Sequence, residues 1–434
     1  MYPDTADHSH IRLLAQRSGL PLTDAILKAL NKGTLHGEKP ATLLAACPNS
    51  EAVARAAIRA AERAGAPIKF AATLNQVDLD GGYTGWTQAQ FMALVRNEVS
   101  DSDYLGPVIA ALDHGGQWLK DKQAREGWNL EQATAGVKAS LEACIDAGYD
   151  LLHVDPTVDK TLPPGKTIAI GTVVERTVEL IVHAEKHRRS RELPRISYEV
   201  GTEEVHGGLA DLDVFRAFLT GLKTGLLENK LPDVWPCFVV GKVGTDLHTT
   251  LFDPRVARKL VKTAGEWGSM IKGHYTDMVE NPEDYPASGM GGANVGPEFT
   301  EAEYQALKRL CRTEEQSFPG GERETSGLME ALKDAVVRSG RWEKWRLPDE
   351  QGLPFDRISR ERQEWLVRTG CRYIWTDPAV LESRARLYSN LAGRKIDADR
   401  EVIEEIIRSM EKYFKAFNLE GTLERIENEL ERGL

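Results

Sequence analysis

From about residue 41 the chain alternates between short apolar runs and longer stretches whose apolar residues recur every three or four positions. The short runs predict buried parallel strands, and the longer stretches predict amphipathic helices. The expected strands are Thr42–Ala46, Ile68–Thr73, Val108–Leu112, Asp150–Val154, Arg195–Val200, Cys237–Val240, Ser269–Lys272 and Met290–Val295. Helical patterns separate them: Ser50–Ala64, a helix capped by Thr87, Leu130–Ala147, Val173–His187, Asp213–Leu227 and Pro254–Trp267, with Glu301–Cys311 after the last strand. Strict alternation over eight strands predicts an α/β fold closed as a (β/α)8 barrel, with a doubly wound sheet as its competitor. Eight repeats in roughly 270 residues match the usual size of a barrel.

The flanks differ. Residues 1–40 read as two short helices, around Ile11–Gln16 and Leu22–Asn31. Beyond 312 the rhythm stops: Thr313–Glu324 is polar and loop-like, broken by Pro319-Gly-Gly321. The remainder is helical and rich in aromatics, and Ile403–Phe417 has the period of an amphipathic helix. The expected organisation is an N-terminal helical segment (1–40), the barrel (41–312) and a helical extension (313–434) that packs on the barrel or forms a subunit interface.

In a parallel barrel every strand opens its C-terminal end onto one face, where active sites are built. Polar residues fall at those exits: Asp113 and His114 after Val108–Leu112, His153 and Asp155 in the fourth repeat, Glu199 and Glu203 in the fifth, then His248, His274 and Asn294. Three histidines from separate exits, His114, His248 and His274, form a candidate facial set for one divalent metal ion, with an open position left for substrate. Glu199 and Glu203 are candidate fourth ligands or acid/base groups. Asp113, beside a candidate ligand, suits proton transfer at the substrate. His153 and Asp155 are two apart in a strand and so share a face. They either contact substrate or satisfy one another.

Composition narrows the class. Hydrophobic residues make up 41% and charged residues 28%, an ordinary globular balance. The net charge of −11 argues against a nucleic-acid surface. The one dense basic run, Lys186–Arg191, ends an expected helix, where the helix dipole favours cations. Five scattered cysteines with no CxxC pair suggest neither a disulfide framework nor a zinc knuckle. No apolar run reaches the roughly 20 residues that span a bilayer, and the polar N-terminus lacks a signal-peptide core, so a soluble cytoplasmic protein is expected. Pro163-Pro-Gly-Lys-Thr167 resembles the end of a phosphate-binding loop, but Lys160 stands where that motif needs glycine, which argues against a kinase.

Several segments together resemble one family. Asn75-Gln-Val, Gly81-Gly-Tyr-Thr-Gly85, Asp113-His-Gly115, Gly201-Thr-Glu203, His274-Tyr-Thr-Asp277, Val295-Gly-Pro297 and Arg372-Tyr-Ile-Trp375 are similar to the Z subunit of class II tagatose-1,6-bisphosphate aldolase and its ketohexose 4-epimerase relatives. The resemblance implies a class II aldolase barrel in which Asp113 is the acid/base residue and His114, His248 and His274 hold one divalent metal (Zn, Ni, Mn or Co). It implies that Asn294 contacts the enediolate part of the substrate and that Asn75, Gln76 and Asp277 line the substrate site. The implied activity is interconversion of tagatose and fructose at carbon 4 by retro-aldol cleavage and re-addition, with the metal as Lewis acid. The alternatives are a stabilising partner of a catalytic aldolase chain and a stand-alone aldolase. The implied partners are a ketose or ketose phosphate, a second copy of the chain, or that aldolase subunit. One departure stands out. Where phosphate-binding relatives have a glycine-rich loop after the last histidine, this chain has His274-Tyr-Thr-Asp277, whose carboxylate repels phosphate and points to an unphosphorylated or relocated substrate.

Overall fold

A computed structural model describes residues 5–433 except 164–165, 202–211, 246–249 and 319–323. Eight parallel strands close into a barrel in sequence order: β1 (Leu43–Ala46), β2 (Ile68–Thr73), β3 (Val108–Gly115), β4 (Leu151–Val154), β5 (Ser197–Gly201), β6 (Phe238–Val240), β7 (Met270–Gly273) and β8 (Gly292–Val295). The seam is the pairing of β1 with β8, from Leu43 opposite Gly292 to Ala46 opposite Val295. Two short helices, α1 (His10–Ser18) and α2 (Leu22–Leu35), precede the barrel. Around it lie α3 (Glu51–Ala64), α4 (Gln88–Ser100), α5 (Leu130–Ala147), α6 (Ile170–Ser190), α7 (Leu212–Glu228), α8 (Pro254–Gly265) and α9 (Pro297–Ser317). The starts follow local chemistry. Thr87 and Asn129 cap α4 and α5 in reciprocal boxes with Gln90 and Gln132, while Ser50 and Asp253 cap α3 and α8.

Strand alternation sorts side chains into two cores. Leu44, Phe70, Leu112, Leu152, Val200, Val239, Ile271 and Val295 face the helices. Leu43, Ile109, Ala111, Leu151 and Phe238 point inward and plug the lower barrel, meeting Ile11, Leu22, Ile26 and Leu30 of α1 and α2 beneath it. Arg12 locks that floor. Its guanidinium reaches Asp150 at 2.5 Å, Asp7 at 2.7 Å and the Val108 carbonyl at 2.9 Å, and Asp7 in turn accepts the Val108 amide.

Beyond the barrel come α10 (Leu328–Ser339), α11 (Arg360–Gly370), α12 (Pro378–Ala392), α13 (Ala398–Ala416) and α14 (Thr422–Glu431). Helix α13 packs across α3 and α9, and α14 returns under the floor beside α1 and α2. Tight 3-10 turns at Arg341–Trp345 and Cys371–Tyr373 lie over the barrel mouth, joined to the loop after β2 by a hydrogen bond from the Thr376 hydroxyl to the Tyr83 carbonyl. One expectation is corrected. The stretch from Thr313 is not a loop at first, because α9 runs on to Ser317. Glu314, within the stretch expected to be loop-like, is buried and accepts the Ser326 amide and hydroxyl and the Asn390 amide. Among the described residues no helix is long and apolar enough to cross a membrane.

Candidate active site at the barrel mouth

The inward-facing upper positions of the strands carry charge instead of hydrocarbon, in two layers. The upper layer lines a pocket of about 240 Å³ and contains Asp113, His114, His274 and Asn294, with Asn75, Gln76 and Asp277 on its walls. The lower layer is sealed beneath it: His153, Glu199, Lys69 and Lys272, each no more than 1% exposed.

Asp113 joins the layers. One oxygen meets Lys272 Nζ at 3.1 Å and His153 Nδ1 at 3.2 Å, and the other accepts Asn294 Nδ2 at 3.0 Å. Burial alone would raise its pKa, but the Lys272 ammonium and the His114 and His274 imidazoles hold it well below the usual carboxylate range. Glu199 is likewise held low, against its burial, by Lys272 and Lys69, at 2.5 Å and 3.1 Å. The two ammoniums diverge. Desolvation pushes Lys69 down in spite of Glu199, whereas Asp113 and Glu199 together overcome it at Lys272 and push that lysine up.

His114 has φ of +53°, rare for a residue with a side chain. Behind it β3 runs so close to β4 that a Cβ at Gly116 would sit 1.7 Å from the Asp155 carbonyl oxygen, so only glycine fits. The imidazole bonds Asp155 through Nδ1 at 2.6 Å, and Thr157 holds the other oxygen of that carboxylate at 2.5 Å. Burial raises Asp155, but the His114 contact prevails and brings it to about 2. A carboxylate on Nδ1 turns the Nε2 lone pair toward the pocket, the usual arrangement behind a metal-bound histidine. The rings of His114 and His274 lie 4.6 Å apart, and His153 is 5.0 and 5.6 Å from them. Asp113, His153, Glu199 and His274 also present atoms within 4.8 Å of one another. Lys69 and Lys272 already compensate the carboxylates of that buried group; His274 belongs to it, its Nε2 lying 3.6 Å from Asp113 Oδ1 and from Glu199 Oε1, and His114 stands beside it with Asp155 on its Nδ1. His248 and Glu203 lie outside the described residues.

The remaining site candidates divide by what their polar atoms do. Asn294 keeps its Oδ1 buried and unpartnered, and so does His153 its Nε2. Asn75 spends its amide on Leu119 and Asp121, and Gln76 on Asn49 and Thr73, so both pin the loops that frame the pocket. Asp277 accepts the amides of Gly296 and Glu298 at the start of α9, both at 2.8 Å. Burial and the nearby Glu298 still lift it to about 6. Sequence reasoning missed Lys69 and Lys272, although a lone lysine within a buried apolar strand is itself a signal that it faces the barrel interior and is paired. It also gave no site role to the far wall of the pocket, where the extension contributes Lys344, Trp345, Arg372 and Tyr373, the last two from a segment noted only for its resemblance.

The chain matches the D-tagatose-1,6-bisphosphate aldolase subunit GatZ/KbaZ-like family over residues 27–420. It belongs to that family. A D-tagatose 6-phosphate 4-epimerase from Agrobacterium fabrum is 27% identical over 407 residues, covering 86% of this chain and 89% of its own. Among solved structures, a probable tagatose 6 phosphate kinase from Sinorhizobium meliloti superposes with a TM-score of 0.69 at 22% identity, over 86% of this chain and all of its own. A fructose-bisphosphate aldolase from Campylobacter jejuni gives 0.50 at 12% identity, over 92% and 95% of the two chains. These two likenesses concern the fold. This GatZ/KbaZ-like chain has the eight-stranded barrel expected from its sequence and belongs to a family described as an aldolase subunit, and the relative from Agrobacterium fabrum is named as an epimerase.

Proposed function

We propose that this chain inverts carbon 4 of a 2-ketohexose by breaking and remaking the C3–C4 bond. The observation that carries this reading is the upper layer of the pocket. There an ionised carboxylate (Asp113), two facing imidazoles (His114 and His274) and an amide with a free acceptor (Asn294) converge on one small cavity.

Carbon 4 is not adjacent to the C2 carbonyl, so removing its own hydrogen gains no stabilisation from that carbonyl. Cleavage avoids the difficulty. Asp113 accepts the proton of the C4 hydroxyl, C4 becomes an aldehyde, and the electron pair of the C3–C4 bond passes into a C2–C3 enediolate. The aldehyde turns over its other face, the enediolate carbon attacks it, and Asp113 returns the proton. No oxidant or co-substrate is needed. Asn294 Oδ1 accepts a hydroxyl of the enediolate half while its Nδ2 steadies Asp113. Lys272, in the charged floor it shares with Lys69 and Glu199, keeps Asp113 ionised. His114 and His274, with His248, would hold a divalent ion, which as a Lewis acid would stabilise the negative charge developing on the substrate oxygens.

The test is product analysis on purified protein with added Zn, Ni, Mn or Co, offering tagatose, fructose and their 6-phosphates. Interconversion of C4 epimers is expected, and His274→Ala should lose both bound metal and turnover. No turnover on any of these sugars overturns the reading. Release of trapped triose identifies a stand-alone aldolase. The family description, an aldolase subunit, favours a second reading: a stabilising partner of a catalytic chain. Metal-free protein that co-purifies with such a chain and is inert alone would establish it.

A further inference from the structure

The seam between β1 and β8 carries two asparagines whose amides are aimed by their neighbours. Asn49 follows β1, and Asn294 lies in β8, the strand paired with it. The orientation of Asn49 follows from a chain of bonds that begins on the backbone. The Thr73 amide can only donate, and it takes Gln76 Oε1 at 2.7 Å. Gln76 Nε2 is therefore the end that meets Asn49, and a donor there fixes Asn49 Oδ1 as its acceptor, at 2.7 Å. The Tyr83 hydroxyl donates to the same oxygen at 2.9 Å. Tyr83 is itself held by the extension, edge-on to the Tyr373 ring at 5.2 Å and through its carbonyl to the Thr376 hydroxyl.

Asn49 Nδ2 is the end left over. The residue is buried and lines the pocket, and no described residue accepts from that nitrogen. It lies on the pocket side, since a Cβ at Gly296, also on the pocket wall, would sit 3.5 Å from it. Asn294 is the converse case. Its Nδ2 donates to Asp113, so a buried Oδ1 is the end without a partner. The seam thus offers one fixed donor and one fixed acceptor that the described protein does not meet, and such buried groups persist where a ligand completes them. A hydroxyl, which donates once and also accepts, is the group that answers both; an ester or carboxylate oxygen would leave Asn294 unmet. In the ketose reading the oxygens at C2 and C3 carry the enediolate charge, and the C4 hydroxyl belongs to Asp113. The C1 hydroxyl is the oxygen of the enediolate half still without a partner.

We propose that Asn49 is a substrate-binding residue, whose Nδ2 donates to the C1 hydroxyl of the ketose while that hydroxyl gives its own proton to Asn294 Oδ1. The proposal rests on the ketose reading of the pocket. Held in this way, the three-carbon fragment stays in register while the C4 aldehyde turns, and a substrate esterified at C1 is disfavoured.

The test measures kcat and KM for a ketose and its 1-deoxy and 6-deoxy analogues on wild type, Asn49→Ala and Asn49→Asp, together with calorimetric binding of each sugar. Asn49→Ala should lose about 20-fold in kcat/KM on the ketose and the 6-deoxy sugar. On the 1-deoxy sugar, where the accepting oxygen is already gone, the loss should stay below about 3-fold. Asn49→Asp keeps an acceptor for Gln76 and Tyr83, so the loops stay framed. Its loss on the ketose should be at least as large, because an acceptor replaces the donor. Equal losses on all three sugars would make Asn49 a brace for the loops, and wild-type kinetics in Asn49→Asp would leave Nδ2 without a role; either overturns the proposal. If no sugar is turned over, the epimerase reading fails. Ketose binding that weakens in Asn49→Ala, beside 1-deoxy binding that does not, would then still sustain the Asn49 contact, and unchanged ketose binding would remove it.

Discussion

Among the described residues the barrel holds a buried ionic cluster at each end, and the two differ in how completely they are satisfied. At the floor Asp7, Arg12 and Asp150 close on one another and on the backbone of β3. Every polar atom of the arginine is bonded, to Asp7, Asp150 or the Val108 carbonyl. At the mouth Lys69, Glu199, Lys272 and Asp113 are equally buried, but the groups around them keep unspent valences: His153 Nε2, Asn294 Oδ1 and, across the pocket, Arg372 Nε. A saturated buried cluster needs nothing further and acts as a fastener. Unsatisfied buried polar atoms are disfavoured and persist where a ligand completes them. The comparison assigns structure to the floor and chemistry to the mouth without reference to any motif.

Substitution should split the two ends. Asp113→Asn removes the pocket carboxylate that touches both Lys272 and Asn294, and turnover should fall by about 1,000-fold or more while the melting temperature moves little. Retained turnover would take the proton-carrying role away from Asp113. Arg12→Met should do the opposite. It leaves Asp7 and Asp150 buried together without their cation, and should reduce stability by about 3–5 kcal/mol in urea titration, with kcat per folded molecule unchanged. Lys272→Met falls between them. It strips a cation from two buried carboxylates and removes a neighbour of Asp113, so about 3 kcal/mol of stability and about tenfold in kcat should go together. If Lys272→Met lowered stability alone, the lysine would belong with the floor as a fastener.

The contrast also explains what the residue pattern could and could not convey. Parallel strands are apolar until they reach the mouth, so Asp113, His114, His153, Glu199 and Asn294 were legible as interruptions at expected exits. Lys69 and Lys272 sit inside strands, one and two residues from their starts, and look like tolerated substitutions until alternation turns them inward opposite Glu199. The wall at Arg341, Lys344 and Arg372 was not legible as part of the site, although Arg372 stands in a segment that carries the family resemblance. Its residues come from 3-10 turns that carry no periodic pattern, and only tertiary packing returns them to a site whose strand residues end at Asn294. The length of α9 was misread for a related reason. Polar residues such as Glu314 look like loop, yet this one is buried by partners that the local sequence does not show.

The smallest effect concerns Asp277, a mouth residue that is bonded as a fastener would be. Its carboxylate accepts two backbone amides, yet burial and the neighbouring Glu298 raise it to about 6. An acid whose pKa is higher folded than unfolded binds protons more tightly in the native state. Its stabilising contribution is present below the unfolded value, near 4, and is lost as pH rises toward and through 6. Part of the carboxylate reaches the pocket solvent, so the loss should be on the order of 1 kcal/mol. Urea titrations of wild type and Asp277→Asn between pH 4 and 7 should show that slope in the first protein and its absence in the second. Asparagine keeps an acceptor for the Gly296 and Glu298 amides, so α9 should stay in place. Identical slopes would mean that Asp277 titrates as an ordinary carboxylate and that the mouth, at this residue, is as settled as the floor.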